Sequence, residues 1–279
     1  MRVILIIVFA MLSLGSCKRK DNSSAAKKSD TNAKIGTVKK MHGVLSASNV
    51  ITVSTDFPND TIYPARILTS GGVFHEDEVD PKSSTYKWKG IFKSGSGYYI
   101  NDTELKLSRD HDAIMDDDGK KTGWMITTSI KDTSILLISG LDYLQDRQVS
   151  QIKLSKDQLL PGEKEQFTYK DVIYTLYATG DKKLEKPGNK DFIVSNYRLF
   201  LKAAGNGQSY NQLLVSVSNF DGTITSILFA GDIDCDNIPD FIIDTTNNYD
   251  AEAPTLYLSK PASNGKLLKV MGKHIAVGC

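Results

Sequence analysis

The stretch GDIDCDNIPDFIID, residues 231–244, carries five aspartates in fourteen positions and sets Cys235 among the first three of them. Asp232, Asp234, Asp236 and Asp240 stand at positions one, three, five and nine of a loop. By this alternation a tight turn directs carboxylates at one hard cation. Oxygen-only ligands favour calcium, and the backbone carbonyl of Ile238 at position seven completes the set. Position six, where such a turn requires a positive φ, holds Asn237, which tolerates that conformation best after glycine. Position twelve decides the fold: it is Ile243, where a helical calcium loop needs a bidentate glutamate. The run Phe241 to Ile243 suits a strand, so the loop is expected to join strands. Asp244 shares the strand face of Asp240 and is placed to lend a further oxygen. The competing reading is a solvated acidic turn without a metal.

Outward from this loop the pattern stays strand-like, with short β-branched and aromatic runs between Gly, Asn and Asp turns. In the first half the runs are Val50 to Val53, Tyr86 to Phe92, Tyr98 to Leu107, Trp124 to Ser129 and Ser134 to Ser139. In the second half they are Phe167 to Tyr169 and Ile173 to Ala178, a hairpin about Lys170 to Val172, then Tyr197 to Ala203 and Gln212 to Val217. Ile224 to Ala230, Phe241 to Asp244, Thr255 to Ser259 and Leu267 to Met271 complete the series. Spacings of roughly 8 to 15 residues leave no room for helical crossovers, so the expectation is an antiparallel, sandwich-like all-β body with minor α content. It would be built as one domain or as two β subdomains, residues 37–150 and 151–279. Gln151 to Leu159 reads as a short helix or an irregular link, and Lys182 to Lys190, with Pro187-Gly188, as an exposed loop. No unit of fixed length repeats, so a multi-bladed propeller lacks its main sequence sign.

Charge excludes one class of partner. Lys and Arg number 34 against 33 Asp and Glu, and a neutral chain offers no electrostatic case for nucleic acid. The catalytic patterns HExxH, GxSxG, a phosphate-cradling glycine loop and CxxC are absent from the sequence. The histidines, His42, His75, His111 and His274, are scattered, and His111-Asp112 beside Arg109-Asp110 reads as a charged turn before an acid–base pair. The acidic runs His75-Glu76-Asp77-Glu78 and Asp116-Asp117-Asp118-Gly119 lack the alternating spacing of a metal loop.

The N-terminus, MRVILIIVFAMLSLGSC, places Arg2 before an apolar run and small residues before Cys17. That is the pattern of a secretory signal, residues 1–16. As a transmembrane anchor the run falls short of the roughly 20 apolar residues needed. The tail Leu14-Gly15-Ser16-Cys17 resembles the lipobox of bacterial lipoproteins. The resemblance implies cleavage before Cys17, diacylation of its sulfur and tethering to a membrane. Lys18 stands where the inner-membrane retention signal has an aspartate, which implies an outer-membrane site on the cell envelope, on either face. Residues 17–36 hold the lipidated cysteine and a Lys, Ser, Asn and Ala-rich stretch too polar to bury a core, read as a flexible linker. Its lysines could instead form a lipid or nucleic-acid patch, but they lack interleaved aromatics.

The acidic loop resembles the DxDxDGxxD calcium loops of FG-GAP-type extracellular modules, most closely at the Pro239-Asp240 step into a strand, and this implies a metal site and no more. The C-terminal segment, with Tyr257 and Gly278-Cys279, is similar to the ends of bacterial lipoproteins of uncharacterised activity. With Cys17 lipidated, Cys235 and Cys279 remain in an oxidising compartment and are expected to form a disulfide; the alternative is a free core thiol at Cys235. Two function classes follow. One is an envelope binding or structural lipoprotein with a calcium-stabilised β-domain and an unidentified envelope or extracellular ligand. The other is a tethered hydrolase whose site is dispersed in sequence.

Overall fold

The computed structural model describes residues 56–278 apart from 187–191 and 206–207. The expected signal segment and linker, Cys17, the expected strand Val50 to Val53 and Cys279 lie outside the described residues. In chain order the first strands are β1 (Arg66–Leu68), β2 (Val73–Phe74), β3 (Trp88–Ser94), β4 (Gly97–Thr103), β5 (Leu105–Asp110) and β6 (Gly123–Thr128). Next come β7 (Thr133–Ser139), β8 (Arg147–Val149), β9 (Lys164–Tyr169), β10 (Val172–Leu184), β11 (Phe192–Gly205) and β12 (Gln208–Asn219). The last are β13 (Ser226–Gly231), β14 (Asp240–Asp244), β15 (Ala251–Glu252), β16 (Pro254–Leu258), β17 (Lys269–Lys273) and β18 (Ala276–Val277). The expected all-β class holds. The one helical element among the described residues is a 3-10 turn at Ser83–Thr85, and none of them forms a helix long and apolar enough to cross a membrane.

Four sheets stack through three apolar clusters. The inner sheet, β13-β14-β16-β17, is covered on both faces. Phe241, Ile243 and Tyr257 point to the hairpin sheet β12-β11-β10-β9, where they meet Leu176, Leu199 and Leu201. Ile242, Leu256 and Leu258 point the other way, onto Ile67, Ile91 and Leu136 of the five-stranded sheet β1-β7-β3-β4-β8. Double coverage is why FIID and TLYL read as continuous apolar runs where the hairpin strands alternate. The far face of the five-stranded sheet, with Leu68, Trp88 and Leu137, packs on the sheet β2-β6-β5 through Phe74, Leu105 and Ile126. Each such side chain contributes roughly 1.5–3 kcal/mol on burial. The second cluster joins residues from both sides of position 150, and residues from Thr52 onward form one compact unit. A boundary between 150 and 151 would therefore cut through a shared core.

The inner and five-stranded sheets are also sewn together at both edges. On one side the chain leaving β8 pairs with β13 through Gln151 and Gly231, and the Ile152 N–H donates to the Ala230 carbonyl at 2.8 Å. On the other, the Ala65 N–H donates to the Met271 carbonyl at 2.8 Å. A glycine sits at each seam. A Cβ at Gly231 would strike the Ser150 carbonyl, and one at Gly272 would lie 2.9 Å from the Ala65 carbonyl. The expected short helix or link at 151 to 159 is thus an irregular segment whose start is hydrogen-bonded into the seam.

Other differences have local causes. The single expected strand Tyr98 to Leu107 is β4 and β5, which enter different sheets and part at Glu104. The β9–β10 hairpin turns on Lys170 and Asp171, both at positive φ (47° and 64°), which gives a two-residue turn. The expected loop Lys182 to Lys190 begins as strand: β10 runs to Leu184, opposite Phe192 of β11. There β10 extends past β9 with exposed residues from Thr179 to Leu184, so no buried face imposes an alternating pattern on it.

Candidate metal centre

The acidic loop is the connection between β13 and β14, at the end of the inner sheet. Its path needs two left-handed residues, Asn237 (φ 67°), as expected, and also Cys235 (φ 62°). Three carboxylates shape it from within. Asp232 accepts the Asp236 N–H at Oδ1 (3.1 Å) and the Asn237 N–H at Oδ2 (3.2 Å). Asp240, fully buried, accepts the N–H groups of Ile233 (2.6 Å) and Asp234 (3.0 Å) at Oδ2, and that of Ser259 (2.8 Å) at Oδ1. Asp234 accepts the Lys260 N–H at 3.0 Å.

Neighbouring sheets hold the loop from outside. Arg147 of β8 donates to the carbonyls of Asp232 (2.9 Å) and Ile233 (2.6 Å). Tyr169 of β9 donates to Asp232 Oδ2 at 3.3 Å. Ser259, just past β16, places its hydroxyl 2.9 Å from both Asp236 Oδ1 and Asp240 Oδ1. One hydroxyl proton can serve only one of these oxygens at a time.

The electrostatic balance of the site is incomplete. Asp232, Asp234 and Asp240 are all buried, and one oxygen from each lies within 4.8 Å of the others. Among the described residues no lysine, arginine or histidine nitrogen lies within the 4.0 Å of an ion pair with them. The Arg147 guanidinium is spent on carbonyls. Burial, reinforced by Asp236 and Asp232, pushes the Asp234 carboxyl up to about 6 against the Lys260 N–H that favours its charge. Burial and Asp234 push Asp240 well above the usual carboxylate range. Burial and the same acidic residues raise the Tyr143 hydroxyl as well. A hard cation fits this donor set: calcium–oxygen bonds of about 2.3–2.6 Å allow its ligand oxygens to stand up to about 5 Å apart.

The five residues expected to bind the ion divide. Asp232, Asp234 and Asp240 come together. Asp236 is outside that trio and uses Oδ1 to receive the Ile238 N–H at 2.8 Å and to meet Ser259; Ile238 enters the network through that N–H. Asp244 belongs to the other end of β14, where Oδ1 accepts the N–H groups of Thr246 and Ala253. It lends no oxygen to the trio. Cys235 is an exposed free cysteine. Its expected partner Cys279 lies outside the described residues, but Gly278 is placed by its N–H bond to the Asp250 carbonyl. That contact is beyond the Asp244 end of β14, the length of a strand away from the loop.

The clamps Arg147, Tyr169, Ser259 and Lys260 went unnoticed in the sequence, because they are distant in the chain and carry no motif. Nor did the sequence pair His75 with Asp112. Their Nδ1 and Oδ2 atoms are 2.5 Å apart, and Asp112 Oδ1 accepts the Ile114 and Met115 N–H groups, so the buried carboxylate ties its loop to the end of β2. The weaker acidic runs form no comparable cluster among the described residues. Compared with family models, curated proteins and solved structures, the chain matches none of them.

Proposed function

We propose that this chain is a lipid-anchored protein of the bacterial cell envelope whose β-body is stabilised by calcium, and that it works by binding an envelope or extracellular ligand or as a structural element. The observation that carries the reading is the buried trio Asp232, Asp234 and Asp240, three carboxylates with no ion-pair partner among the described residues. Calcium supplies the missing positive charge; the chain supplies the three carboxylates, held in register by Arg147, Ser259 and Tyr169. The anchor rests on Leu14-Gly15-Ser16-Cys17, and Lys18 favours the outer membrane.

Melting of the chain from residue 17 onward, carrying Cys17→Ser, in calcium and in EGTA tests the metal. Calcium at about 100 times its Kd stabilises by about 2.7 kcal/mol, which for a domain of this size raises Tm by about 5–10 °C. Equal melting in the two buffers would leave only an acidic turn. For the anchor, mass spectrometry of the native chain should find acyl mass on Cys17, and an uncut, unmodified N-terminus would reject it.

A further inference from the structure

A cavity of about 400 Å³ lies between the hairpin sheet and the acidic loop. Val172, Tyr174 and Tyr210 form one wall, and Asn237, Ile238 and Ser259 form the opposite one. Its size falls in the range of small-ligand pockets, about 300–1,000 Å³.

Tyr174 is its most informative wall. The side chain is 3 % exposed, and its ring is fixed by stacking on Phe167, 5.4 Å away and 13° from parallel. Its hydroxyl makes no hydrogen bond among the described residues and is not one of their buried, unpartnered polar atoms, so it opens into the cavity where a ligand can reach it. Burial, with Asp236 and Tyr169 nearby, pushes that hydroxyl up to about 12, so it faces the cavity as a neutral donor. The charged residue lining the space is Lys266, exposed at its rim, and Asp236, behind Asn237, is near enough to the Tyr174 hydroxyl to raise it. A purely apolar occupant would leave the Tyr174 hydroxyl unpaired, and an anion would meet Asp236. A neutral ring with hydroxyls on its edge and C–H groups on its face suits two tyrosines facing an amide and a hydroxyl.

The loop-side wall is positioned by the same carboxylates that form the metal centre. The Asn237 N–H is bound by Asp232, the Ile238 N–H by Asp236, and Ser259 by Asp240. We infer that this cavity binds a neutral, hydroxyl-rich ligand of monosaccharide size, and that the cation at Asp232, Asp234 and Asp240 is required to hold its loop-side wall in place. The inference rests on the calcium reading above.

Saturation-transfer NMR tests it, on the chain from residue 17 onward carrying Cys17→Ser. The probes are the methyl glycosides of glucose, galactose, mannose and N-acetylglucosamine, offered in calcium and again in EGTA. At least one glycoside should receive saturation in calcium and lose it in EGTA. Tyr174→Phe, which removes one oxygen and keeps the stack, should weaken that glycoside about fivefold. Ala262→Trp, which fills the cavity from its rim, should abolish the signal while Tm in calcium stays near wild type. Three outcomes overturn the inference: no transfer to any glycoside in calcium, transfer unchanged by EGTA, or transfer unchanged by both substitutions. Calcium-dependent melting without glycoside transfer defeats this inference alone, whereas melting indifferent to calcium defeats the metal reading beneath it.

Discussion

Asp234 and Asp240 share one cluster, yet their hydrogen bonds assign them different work, and alanine at each should separate the two roles. Asp240 accepts three backbone N–H groups, from Ile233, Asp234 and Ser259, at 2.6–3.0 Å. Asp240→Ala leaves these donors buried without acceptors, at about 1–3 kcal/mol each. Removing a desolvated carboxylate offsets part of that loss, so the net cost without metal is about 3–5 kcal/mol, and in calcium the lost ligand adds to it. Asp234 accepts one backbone N–H, that of Lys260, and its charge is disfavoured by burial, which moves its carboxyl up to about 6. Asp234→Ala in EGTA should therefore change stability by no more than about 1 kcal/mol, a lost hydrogen bond set against a relieved charge. In calcium it should lose most of the metal-dependent increment. By calorimetry in EGTA the Asp240 variant melts about 10 °C below wild type and the Asp234 variant within about 3 °C of it. If the two variants melt together in EGTA, or the Asp234 variant keeps the full calcium increment, the division of roles is wrong.

Other outcomes follow from the same geometry. In EGTA the Asp234 carboxyl is raised from 3.8 to about 6 by burial; its contribution to stability is complete below pH 3.8 and is lost as pH rises through about 6. It amounts to about 2 kcal/mol once solvent screening is allowed for, and urea titrations from pH 4 to 7 should show the loss in wild type and a flatter profile in Asp234→Asn. Asp116 has the opposite sign: against its burial, the Thr122 hydroxyl and backbone N–H groups hold it at about 2, so its contribution is present above pH 3.8 and fades toward pH 2. Asp116→Ala should remove that acid-side fall. Gly272→Ala sets a methyl against Ile67 and the Ala65 carbonyl at one seam and should cost about 1–3 kcal/mol by overpacking; unchanged melting would mean that the seam is loose. Cys235 is exposed, so maleimide should label it in the native chain, and peptide mapping that finds it blocked would contradict the free thiol.

Strand content was legible because each strand with one buried face writes its burial into residue alternation: β10 and β11 show it, and the turn of the β9–β10 hairpin falls at Lys170-Asp171, within the expected Lys170 to Val172. The short strands β1, β2, β8, β15 and β18 were not legible, since two or three residues are too few to display a period. The loop spacing brought Asp232, Asp234 and Asp240 into view together, because alternation in a tight turn is a local property of the backbone. Tertiary structure decided the rest. It turned Asp236 toward Ser259, carried Asp244 to the far end of β14, and brought Arg147, Tyr169 and Ser259 to the loop from three different sheets. It also made β14 and β16 an inner layer, which a sequence shows only as uniform hydrophobicity. The sequence by itself determined where the longer strands and the acidic loop lie, since both depend on neighbours within a few residues. Which carboxylates meet, and what clamps them, depends on sheet stacking between residues up to about a hundred positions apart, and no local pattern encodes that.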